Sequence, residues 1–494
     1  MRGRSAISPS MKPASRLRVG SAVSLILGLS LALPALPESA DQPEIARSVR
    51  THMDYLAGDA LGGRGSGTPQ ERQAADYVGE ELKRYGVVAA GDSGGYLQHV
   101  ALEYHTLVSP PVLSFEPPSG PTVRWTHGNE IAVANLSGSA VTGPLQKLTP
   151  DDALAQVKSG AVVLLTASSS SSWRLAYELS RRGAKMVLAP EDSSFYSTLD
   201  ESRRRLPKLP PRIKELPRRE NTTDLSLVVV RASAVKKLEA LPEGVSIRLE
   251  AQFKAENGET WNTLGLIRGS DPDLRDQAVL FSAHLDHLGT RTSRNGKVIY
   301  HGADDDASGV SAVLELARAI ASGPPPRRSV MFAFFGSEER GLLGSTYFSV
   351  FPPWPLSHIV AALEFEMLGR PDDAIPKHKL WLSGYELSDL GSELAEHGAP
   401  LVPDPHTGEH FFERSDNYPL AQRGVVAHTV SSFGLHRDYH QPGDTLAHID
   451  FPHLDEAVEE MIGPAEWLVN SDFKPHWVEK PGSSQQGVGN PSVH

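Results

Sequence analysis

The sequence predicts an α/β protein with a mainly parallel mixed sheet flanked by helices and a smaller inserted α/β domain. Two patterns lead to this fold class. From about residue 259 onward, apolar strand-like runs alternate with helix-like segments, and this alternation is typical of a largely parallel sheet covered on both faces. Residues 136–257 show a strand, helix and strand succession of their own, which indicates a separate small unit.

Hydrophobic periodicity places the individual elements. Thr68, Pro69 and Glu71 form a capping-box pattern at the start of an amphipathic segment, which predicts a helix over residues 68–86. Short alternating runs between residues 96 and 135 predict strands. Further predicted strands are 278–283, 329–335, 359–365 and 379–382, and further predicted helices are 307–322 and 451–471.

These elements divide the chain into two domains. We expect the main domain to comprise residues 41–135 and 258–472 and the inserted domain to comprise residues 136–257. Residues 473–494 are expected to form a flexible tail. A chain of 494 residues allows about three units of ordinary domain size, and the third unit is an N-terminal segment that we exclude from the fold.

The first 40 residues have the parts of a secretory signal peptide. Basic residues precede an uncharged apolar run over residues 19–33, and prolines and small residues follow it. This arrangement is typical of an export signal. An uncleaved membrane anchor is the alternative, but the run is shorter than the roughly 20 residues that span a bilayer. We therefore expect an exported protein, periplasmic or secreted, with no stable membrane insertion after the signal is removed.

The composition excludes several classes of function. The chain has 48 Lys and Arg against 60 Asp and Glu, and its formal net charge is -12, so it lacks the basic excess typical of nucleic-acid binding. It contains no cysteine, which excludes disulfides, cysteine nucleophiles and thiolate zinc sites. Any strong metal site must therefore use histidine, aspartate and glutamate.

Potential metal ligands follow the predicted strands at their carboxyl ends. The strand 278–283 leads into His284 and Asp286, whose side chains point the same way because they are two residues apart in extended chain. His284 can bind a metal while Asp286 orients its imidazole ring. Considered alone, the pair has an ordinary alternative, since His-x-Asp also arises by coincidence on surfaces and in cores.

Three consecutive aspartates, Asp304, Asp305 and Asp306, open the next predicted helix. Aspartate is favoured in the first turn of a helix because it caps free N–H groups at the positive end of the helix dipole. Three in succession exceed what capping needs, and their mutual repulsion is costly unless a cation lies nearby. Metal binding by this turn is therefore an alternative to simple helix capping.

Two further strand ends carry carboxylates. Glu338 and Glu339 follow the strand 329–335, and Glu366 follows the strand 359–365. Adjacent glutamates can divide the work, one binding a metal and the other accepting a proton from metal-bound water. An ordinary acidic loop is the alternative for the glutamate pair.

A loop before the last predicted helix adds Tyr439 and His440. The chain thus has two histidines and at least three carboxylates at successive strand ends and loops, without one cysteine. This set fits a two-metal site bridged by a carboxylate, in which the ions lie about 3.5–4 Å apart. The joint pattern is much stronger than any of its parts.

In this order the motifs resemble those of the co-catalytic zinc aminopeptidases of metallopeptidase family twenty-eight, which also contains glutamate carboxypeptidases and glutaminyl cyclases. The resemblance covers nearly the whole chain after the signal segment and implies a zinc-peptidase/phosphorylase-like fold. Residues 136–257 resemble, less closely, the protease-associated (PA) domain inserted in many members. The matching segments are HMDYLA, GGR, GTPQERQAADYV, AHLDHLG, GADDDASG, SEERGLLGS, EFEMLGR and DYHQPGDT.

Carried over residue by residue, the resemblance implies two zinc ions as cofactors. Asp305 would bridge them, His284 and Glu366 would bind one ion, and His440 and Glu339 would bind the other. Many members have aspartate at the position of Glu366. Glutamate is one methylene longer but is chemically equivalent as an oxygen ligand.

The resemblance also implies catalytic roles. Glu338 would be the general base, Asp286 would orient His284, and Tyr439 would donate a hydrogen bond to the oxyanion. A hydroxide held between the two zinc ions would attack the scissile carbonyl, and Glu338 would pass its proton to the leaving amine. The implied activity is that of an exported zinc-dependent aminopeptidase acting on peptides with a free N-terminus.

Two other functions stay open. A carboxypeptidase or glutaminyl cyclase on the same scaffold is one, and a non-catalytic receptor-like binding protein, against which the full ligand set argues, is the other. A carboxypeptidase needs basic side chains for substrate carboxylates, and the candidates are Arg370, Arg414, Arg423 and Arg437. The two-metal set is already full, so three nearby histidines are expected to line the pocket or orient ligands: His287, His301 and His436.

Overall fold

The structure, a computed structural model, describes residues 43–167, 172–191, 206, 209, 211–217, 225–293 and 296–478. The predicted export signal and residues 479–494 of the predicted tail lie outside these ranges. Residues 473–478, which the sequence analysis assigned to the flexible tail, pack on the fold, where Phe473 and Trp477 contact the core and Trp477 pairs with Ser388. Among the described residues, no helix is both long enough and apolar enough to span a bilayer.

The strands of the described residues are numbered in chain order. They are β1 (Val88–Ala89), β2 (Leu97–Leu107), β3 (Val112–Phe115), β4 (Val123–Thr126), β5 (Ile131–Asn135), β6 (Ala140–Leu148), β7 (Val162–Leu165), β8 (Met186–Pro190), β9 (Arg212–Ile213), β10 (Ser226–Val230), β11 (Ser246–Glu250), β12 (Phe253–Ile267), β13 (Ala278–His284), β14 (Gly289–Ser293), β15 (Gly296–Tyr300), β16 (Ser329–Phe335), β17 (Ile359–Phe365), β18 (Leu380–Leu382), β19 (Leu401–Pro403) and β20 (Ala427–Ser431).

The α-helices of the same residues are likewise numbered in chain order. They are α1 (Glu44–Leu56), α2 (Pro69–Arg84), α3 (Pro150–Gln156), α4 (Ser172–Arg181), α5 (Ala232–Glu239), α6 (Gly309–Ser322), α7 (Leu343–Val350), α8 (Leu390–Glu396), α9 (Asn417–Ala421) and α10 (Phe451–Asn470). As the capping-box pattern predicts, Thr68 caps α2 by accepting a hydrogen bond from the N–H of Glu71. A π-helical turn, Ala303–Ser308, precedes α6, so that helix begins two residues later than predicted.

The larger sheet is mixed, and parallel strands form its centre. Its order is β19, β18, β20, β17, β13, β16, β12, β2 and β9, with β1 beside β12. The neighbours β16, β13, β17 and β20 run parallel, whereas β12 is antiparallel to both β16 and β2. The predicted strands 329–335 and 359–365 coincide with β16 and β17.

Both faces of this sheet are covered, which explains the continuous apolar runs of its central strands. In β13, Val279 and Phe281 pack into the core cluster that also contains residues of α1, α2, α6 and α10. Ala278 and Leu280 point to the opposite face, where the cluster includes residues of α9 and α7. The fold is therefore the helix-flanked mixed sheet that the sequence predicts.

The smaller sheet has the order β4, β3, β11, β6, β7, β8, β10 and β5. Strands β6, β7, β8 and β10 are parallel, and residues of α3, α4 and α5 pack in its core clusters. This sheet begins at Val112 rather than at residue 136, because β3 pairs with β11 and β5 pairs with β10. The sequence analysis placed these early strands in the main domain, but their pairing places them in the smaller sheet.

A buried histidine makes the stability of the larger sheet depend on pH. The ring of His428 in β20 is fully buried, and it contacts the carbonyl oxygen of Ser383 at 2.7 Å and the hydroxyl of Ser388 at 2.7 Å. Burial lowers the pKa of His428 from 6.5 to about 4. Between these two pH values only the unfolded chain takes up the proton, so acidification favours unfolding.

We expect the wild-type free energy of unfolding to fall by about 3 kcal/mol more than that of His428→Gln between pH 6.5 and pH 4. The variant lacks the titrating ring, whereas other groups titrate equally in both proteins. Urea unfolding at a series of pH values measures the difference. Parallel curves for the two proteins would contradict this origin of the pH dependence.

Candidate metal centre

The candidate site lies at the carboxyl edge of the parallel strands. His284 is the last residue of β13, Glu338 and Glu339 follow β16, and Glu366 follows β17. Because these strands are parallel neighbours, their carboxyl ends meet at one edge of the sheet, where ligands bind in α/β folds. The fold therefore brings together residues that are as many as 82 positions apart in the sequence.

Asp305 lies at the centre of this edge and faces a histidine on each side. Its Oδ1 is 3.1 Å from Nε2 of His284, and its Oδ2 is 3.3 Å from Nε2 of His440. His440 Nε2 is also 3.1 Å from Oε2 of Glu339. The carboxylate of Asp305 thus joins two donor sets, as a bridging ligand must.

The protonation of His284 favours a cation between it and Asp305. Its Nδ1 contacts the carbonyl oxygen of Asp286 at 3.1 Å, and a carbonyl can only accept, so Nδ1 carries the proton. In the neutral ring the lone pair of Nε2 then faces the carboxylate. Two electron-rich atoms 3.1 Å apart repel each other unless a proton or a metal ion lies between them.

The electrostatic potential at both histidines is strongly negative. Burial lowers the pKa of His440, but hydrogen bonds and charges from Asp305 and Glu339 outweigh it and raise the pKa to about 10. Burial is likewise outweighed at His284, where Asp306, Glu338 and Asp305 raise the pKa. A field that stabilises an imidazolium also stabilises a metal cation at the same place.

Asp286 orients its neighbours differently from the sequence prediction. The contact with the His284 ring comes from the backbone carbonyl of Asp286, whereas the nearer oxygen of its carboxylate is 4.0 Å from Nδ1. The carboxylate instead accepts the hydroxyl of Ser66 and, at 2.8 Å, the backbone N–H of Glu338. Asp286 therefore positions both a candidate ligand and the candidate base.

The outer two of the three aspartates accept hydrogen bonds from backbone N–H groups. Asp306 accepts the N–H groups of His284 at 3.1 Å and of Met367 at 3.0 Å. Asp304 accepts the N–H of Gly369 at 2.7 Å. These bonds tie the turn that carries Asp305 to the ends of β13 and β17.

Asp444 supports the same turn from the loop that carries His440. Its two carboxylate oxygens accept the backbone N–H groups of Asp304 at 2.8 Å and of Asp305 at 3.1 Å. In addition, Nε2 of His436 lies 2.9 Å from Oδ2 of Asp304. The loop and the turn thus hold each other in place.

The site opens into a pocket. Glu338 and Glu366 line it together with Asp305, Tyr439 and His440. Burial and the charges of Glu366 and Glu339 raise the pKa of Glu338, despite the opposing effect of His284. The remaining lining side chains are mostly aromatic or hydroxylic: Met367, Trp381, Phe411, Arg414, Ser415, Thr429, Ser431 and Phe433.

Tyr439 stacks on His440, with 3.9 Å between the ring centroids. Burial, followed by the charges of Asp305 and Glu339, raises its pKa. Its hydroxyl therefore stays protonated at neutral pH and can donate a hydrogen bond into the pocket.

The structure also places His287 beside the candidate ligands, although the sequence analysis left it outside the ligand set. Its Nδ1 lies 2.7 Å from Oε1 of Glu339 and 3.7 Å from Oδ2 of Asp305, and these three side chains form a potential metal-binding group. The histidine follows His284 by three residues, a spacing with no strand periodicity, so only its proximity to the motif could have indicated it. By contrast, His301 contacts Asp59 at 2.8 Å.

The donor set fits metal ions. Among the described residues, three buried donor atoms have close neighbours but no partner in hydrogen-bond geometry: His284 Nε2, His287 Nδ1 and Glu339 Oε1. The separations of 3.1–3.3 Å between histidine nitrogens and carboxylate oxygens approach the edge of about 3.3 Å in a tetrahedron with zinc bonds of about 2.0 Å. Imidazole and carboxylate donors are those that zinc accepts in the absence of cysteine.

Comparisons with known proteins agree with this chemistry. Residues 262–463 match the sequence model of the family described as Peptidase family M28. Leucine aminopeptidase 2 of Trichophyton rubrum is 27% identical over 220 residues, which are 40% of this chain and 42% of the relative. The probable lipoprotein aminopeptidase LpqL of Mycobacterium tuberculosis is 34% identical over 149 residues, 30% of this chain and 27% of that protein. The chain thus spans less than half the length of these curated relatives.

A solved structure shares the fold. The aminopeptidase from Aneurinibacillus sp. strain AM-1 is 18% identical, with a TM-score of 0.52 over 88% of this chain and 96% of that chain. At this level of identity the similarity concerns the arrangement of the sheet and helices.

The support that Asp444 gives to the turn can be measured. In Asp444→Asn an amide NH₂ replaces one acceptor and leaves a buried N–H of the turn unpaired, so we expect the free energy of unfolding to fall by about 1–3 kcal/mol. The exposed Asp276→Asn, which removes a surface contact with Arg268, should change it by less than about 1 kcal/mol. Urea unfolding of both variants tests this, and equal small losses would contradict it.

Proposed function

Since residues 262–463 match the sequence model of peptidase family M28, we propose that the protein is a zinc-dependent aminopeptidase that removes N-terminal residues from peptides. The observation that carries the proposal is the placement of Asp305 between His284 and His440, one carboxylate oxygen toward each imidazole. One carboxylate with two donor sets is what a pair of co-catalytic ions requires.

In this proposal His284 and Glu366 would hold one zinc ion, His440 and Glu339 would hold the second, and Asp305 would contribute to both. Bound zinc would supply a water molecule of lowered pKa and a polarised carbonyl. In the part of the chain that the structure describes, neither the buried Nε2 of His284 nor the buried Oε1 of Glu339 has a partner in hydrogen-bond geometry. This supports the assignment, because buried polar atoms without hydrogen bonds are otherwise costly.

Glu338 is the proposed general base. It lines the pocket beside Asp305, and the hydrogen bond from its backbone N–H to Asp286 holds the start of its turn in place. Burial and neighbouring carboxylates raise its pKa, which favours a group that accepts a proton from water and returns it to the leaving amine. The protonated hydroxyl of Tyr439 would donate a hydrogen bond to the oxygen on which negative charge develops.

The curated relatives named above are aminopeptidases, which supports a substrate with a free amine. Of the four arginines that a carboxypeptidase could use, Arg414 lines the pocket, whereas the guanidinium group of Arg370 pairs with Asp438 at 3.0 Å. A carboxypeptidase on this scaffold is the second candidate, and it would rely on Arg414.

Two further parts of the proposal rest on the sequence. Export to the periplasm or the medium is proposed from the basic and apolar pattern of the first 40 residues. The smaller sheet is proposed to belong to a PA-like domain inserted into the catalytic domain, which agrees with its separate strand order.

The proposed base has a direct test. Glu338→Gln keeps the shape of the side chain but cannot accept the proton, so we expect kcat to fall by about 10²- to 10⁴-fold while bound zinc, measured by atomic absorption, stays at two ions per chain. The matched control Glu396→Gln, at the exposed end of α8, should keep full activity. A fully active Glu338→Gln protein would remove Glu338 from this role.

Substrate class is tested on the wild-type protein with aminoacyl anilides, N-blocked peptides and peptides ending in glutamate. We expect hydrolysis only at a free N-terminus, so that the anilides are cleaved and the N-blocked peptides are not, and we expect this hydrolysis to be lost after a chelator removes the metal. Cleavage of blocked peptides with untouched anilides would favour the carboxypeptidase alternative. Activity that survives complete metal removal would contradict both candidates.

A further inference from the structure

Arg64 is completely buried, although it carries a permanent charge. Its guanidinium group donates four hydrogen bonds, and every acceptor is a backbone carbonyl oxygen. The acceptors are Leu56 at 2.6 Å, His301 at 2.8 Å, Leu285 at 2.9 Å and Gly302 at 2.9 Å.

Three of these carbonyls belong to the two segments that carry the metal donors, and the fourth, that of Leu56, ends α1. Leu285 is the residue after His284, and His301 and Gly302 lead into the turn of Asp305. Arg64 also holds the first segment through its backbone, since its carbonyl oxygen accepts the N–H of His287 at 3.1 Å. One side chain thus connects the end of β13 to the aspartate turn.

The charge of Arg64 matters as well as its shape. Among the described residues, no carboxylate lies within ion-pair distance of its guanidinium group, yet Asp306, Asp305, Asp444 and Asp286 all act on it electrostatically. Arg64 is therefore a buried cation beneath an acidic cluster, held in place by neutral carbonyls. It partly offsets the mutual repulsion of carboxylates that the turn brings together.

We propose that Arg64 is a positioning residue of the metal centre, whose guanidinium fork sets the distance between His284 and Asp305 and thereby the affinity for zinc. This inference rests on the proposed function only in requiring that the site binds metal. It assigns no contact with substrate to Arg64.

The arrangement needs the planar fork of arginine rather than positive charge alone. Carbonyl oxygens on different segments are reached from Nε, Nη1 and Nη2 at the same time. A lysine ammonium group is a single point with three donors, so Arg64→Lys keeps the charge but cannot hold both segments at their present spacing. That substitution separates geometry from charge.

Arg328 provides a matched control. It is also almost fully buried, at 1% exposure, and its guanidinium group donates to the side chain of Gln277 at 3.1 Å and to the carbonyl oxygen of Leu468 at 3.2 Å. It precedes β16 and therefore lies at the opposite end of that strand from Glu338. Loss of a buried arginine destabilises the fold at either place, but only Arg64 contacts the segments of the metal centre.

The experiment measures zinc affinity of the full-length protein by competition with a fluorescent chelator, together with thermal unfolding of the metal-free form. We expect Arg64→Lys to bind zinc about 10- to 100-fold more weakly than wild type, the effect typical of residues that orient ligands. Arg328→Lys should lose thermal stability but bind zinc within about twofold of wild type.

Should Arg64→Lys fail to fold, Arg64→Ala with added guanidinium ion provides a second variant, because the ion can occupy the vacated position. We expect guanidinium, but not uncharged urea at the same concentration, to restore zinc affinity. Wild-type affinity in Arg64→Lys, equal weakening in Arg328→Lys, or no effect of guanidinium on Arg64→Ala would each overturn the inference.

The outcomes also separate this inference from the proposed function. A wild-type protein that binds zinc but cleaves no aminoacyl anilide would overturn the aminopeptidase proposal and leave the role of Arg64 standing. A wild-type protein that cleaves anilides, with unchanged zinc affinity in Arg64→Lys, would overturn the role of Arg64 alone. A wild-type protein that binds no zinc would overturn both.

Discussion

The burial of three consecutive carboxylates, Asp304, Asp305 and Asp306, is the constraint on which this site depends. Each is almost completely removed from water, where an unpaired charge is costly. The outer two accept backbone N–H groups from strand ends, whereas Asp305 faces imidazoles. The division leaves the middle carboxylate as the one suited to a cation.

The same bonds explain why the site is ordered even though loops form it. Hydrogen bonds from the backbone of Met367 and His284 to Asp306 connect the turn that carries Asp305 to the central strands. These strands are packed in core clusters on both faces. Asp444 fastens the loop of His440 to the turn. The precision needed at the donor atoms thus comes from rigid strands, through carboxylates that themselves bind no metal in the proposed mechanism.

Much of the fold and of the candidate site could be predicted from the sequence. Parallel strands place their carboxyl ends together, and polar residues at those ends are easily recognised after apolar runs. The strands β16 and β17 and the helix α2 follow directly from their patterns. The contacts of Asp286 through its carbonyl, of His287 with Glu339, and the buried fork of Arg64 could not be predicted. They depend on side-chain directions in irregular backbone, which no periodicity encodes, and the early strands of the smaller sheet likewise depend on long-range pairing.

By itself, the sequence determined which metal-binding groups are available: without cysteine, a metal site must be built from histidines and carboxylates. The apolar runs that precede these residues determine which edge of a sheet they share. Only the tertiary structure decided which of these side chains face a candidate metal position, which accept backbone N–H groups, and where a buried positive charge lies. Asp304, Asp305 and Asp306 are identical residues in succession, and they differ only in what the fold places opposite each carboxylate. That difference arises from hydrogen bonds and charges contributed by distant segments of the chain.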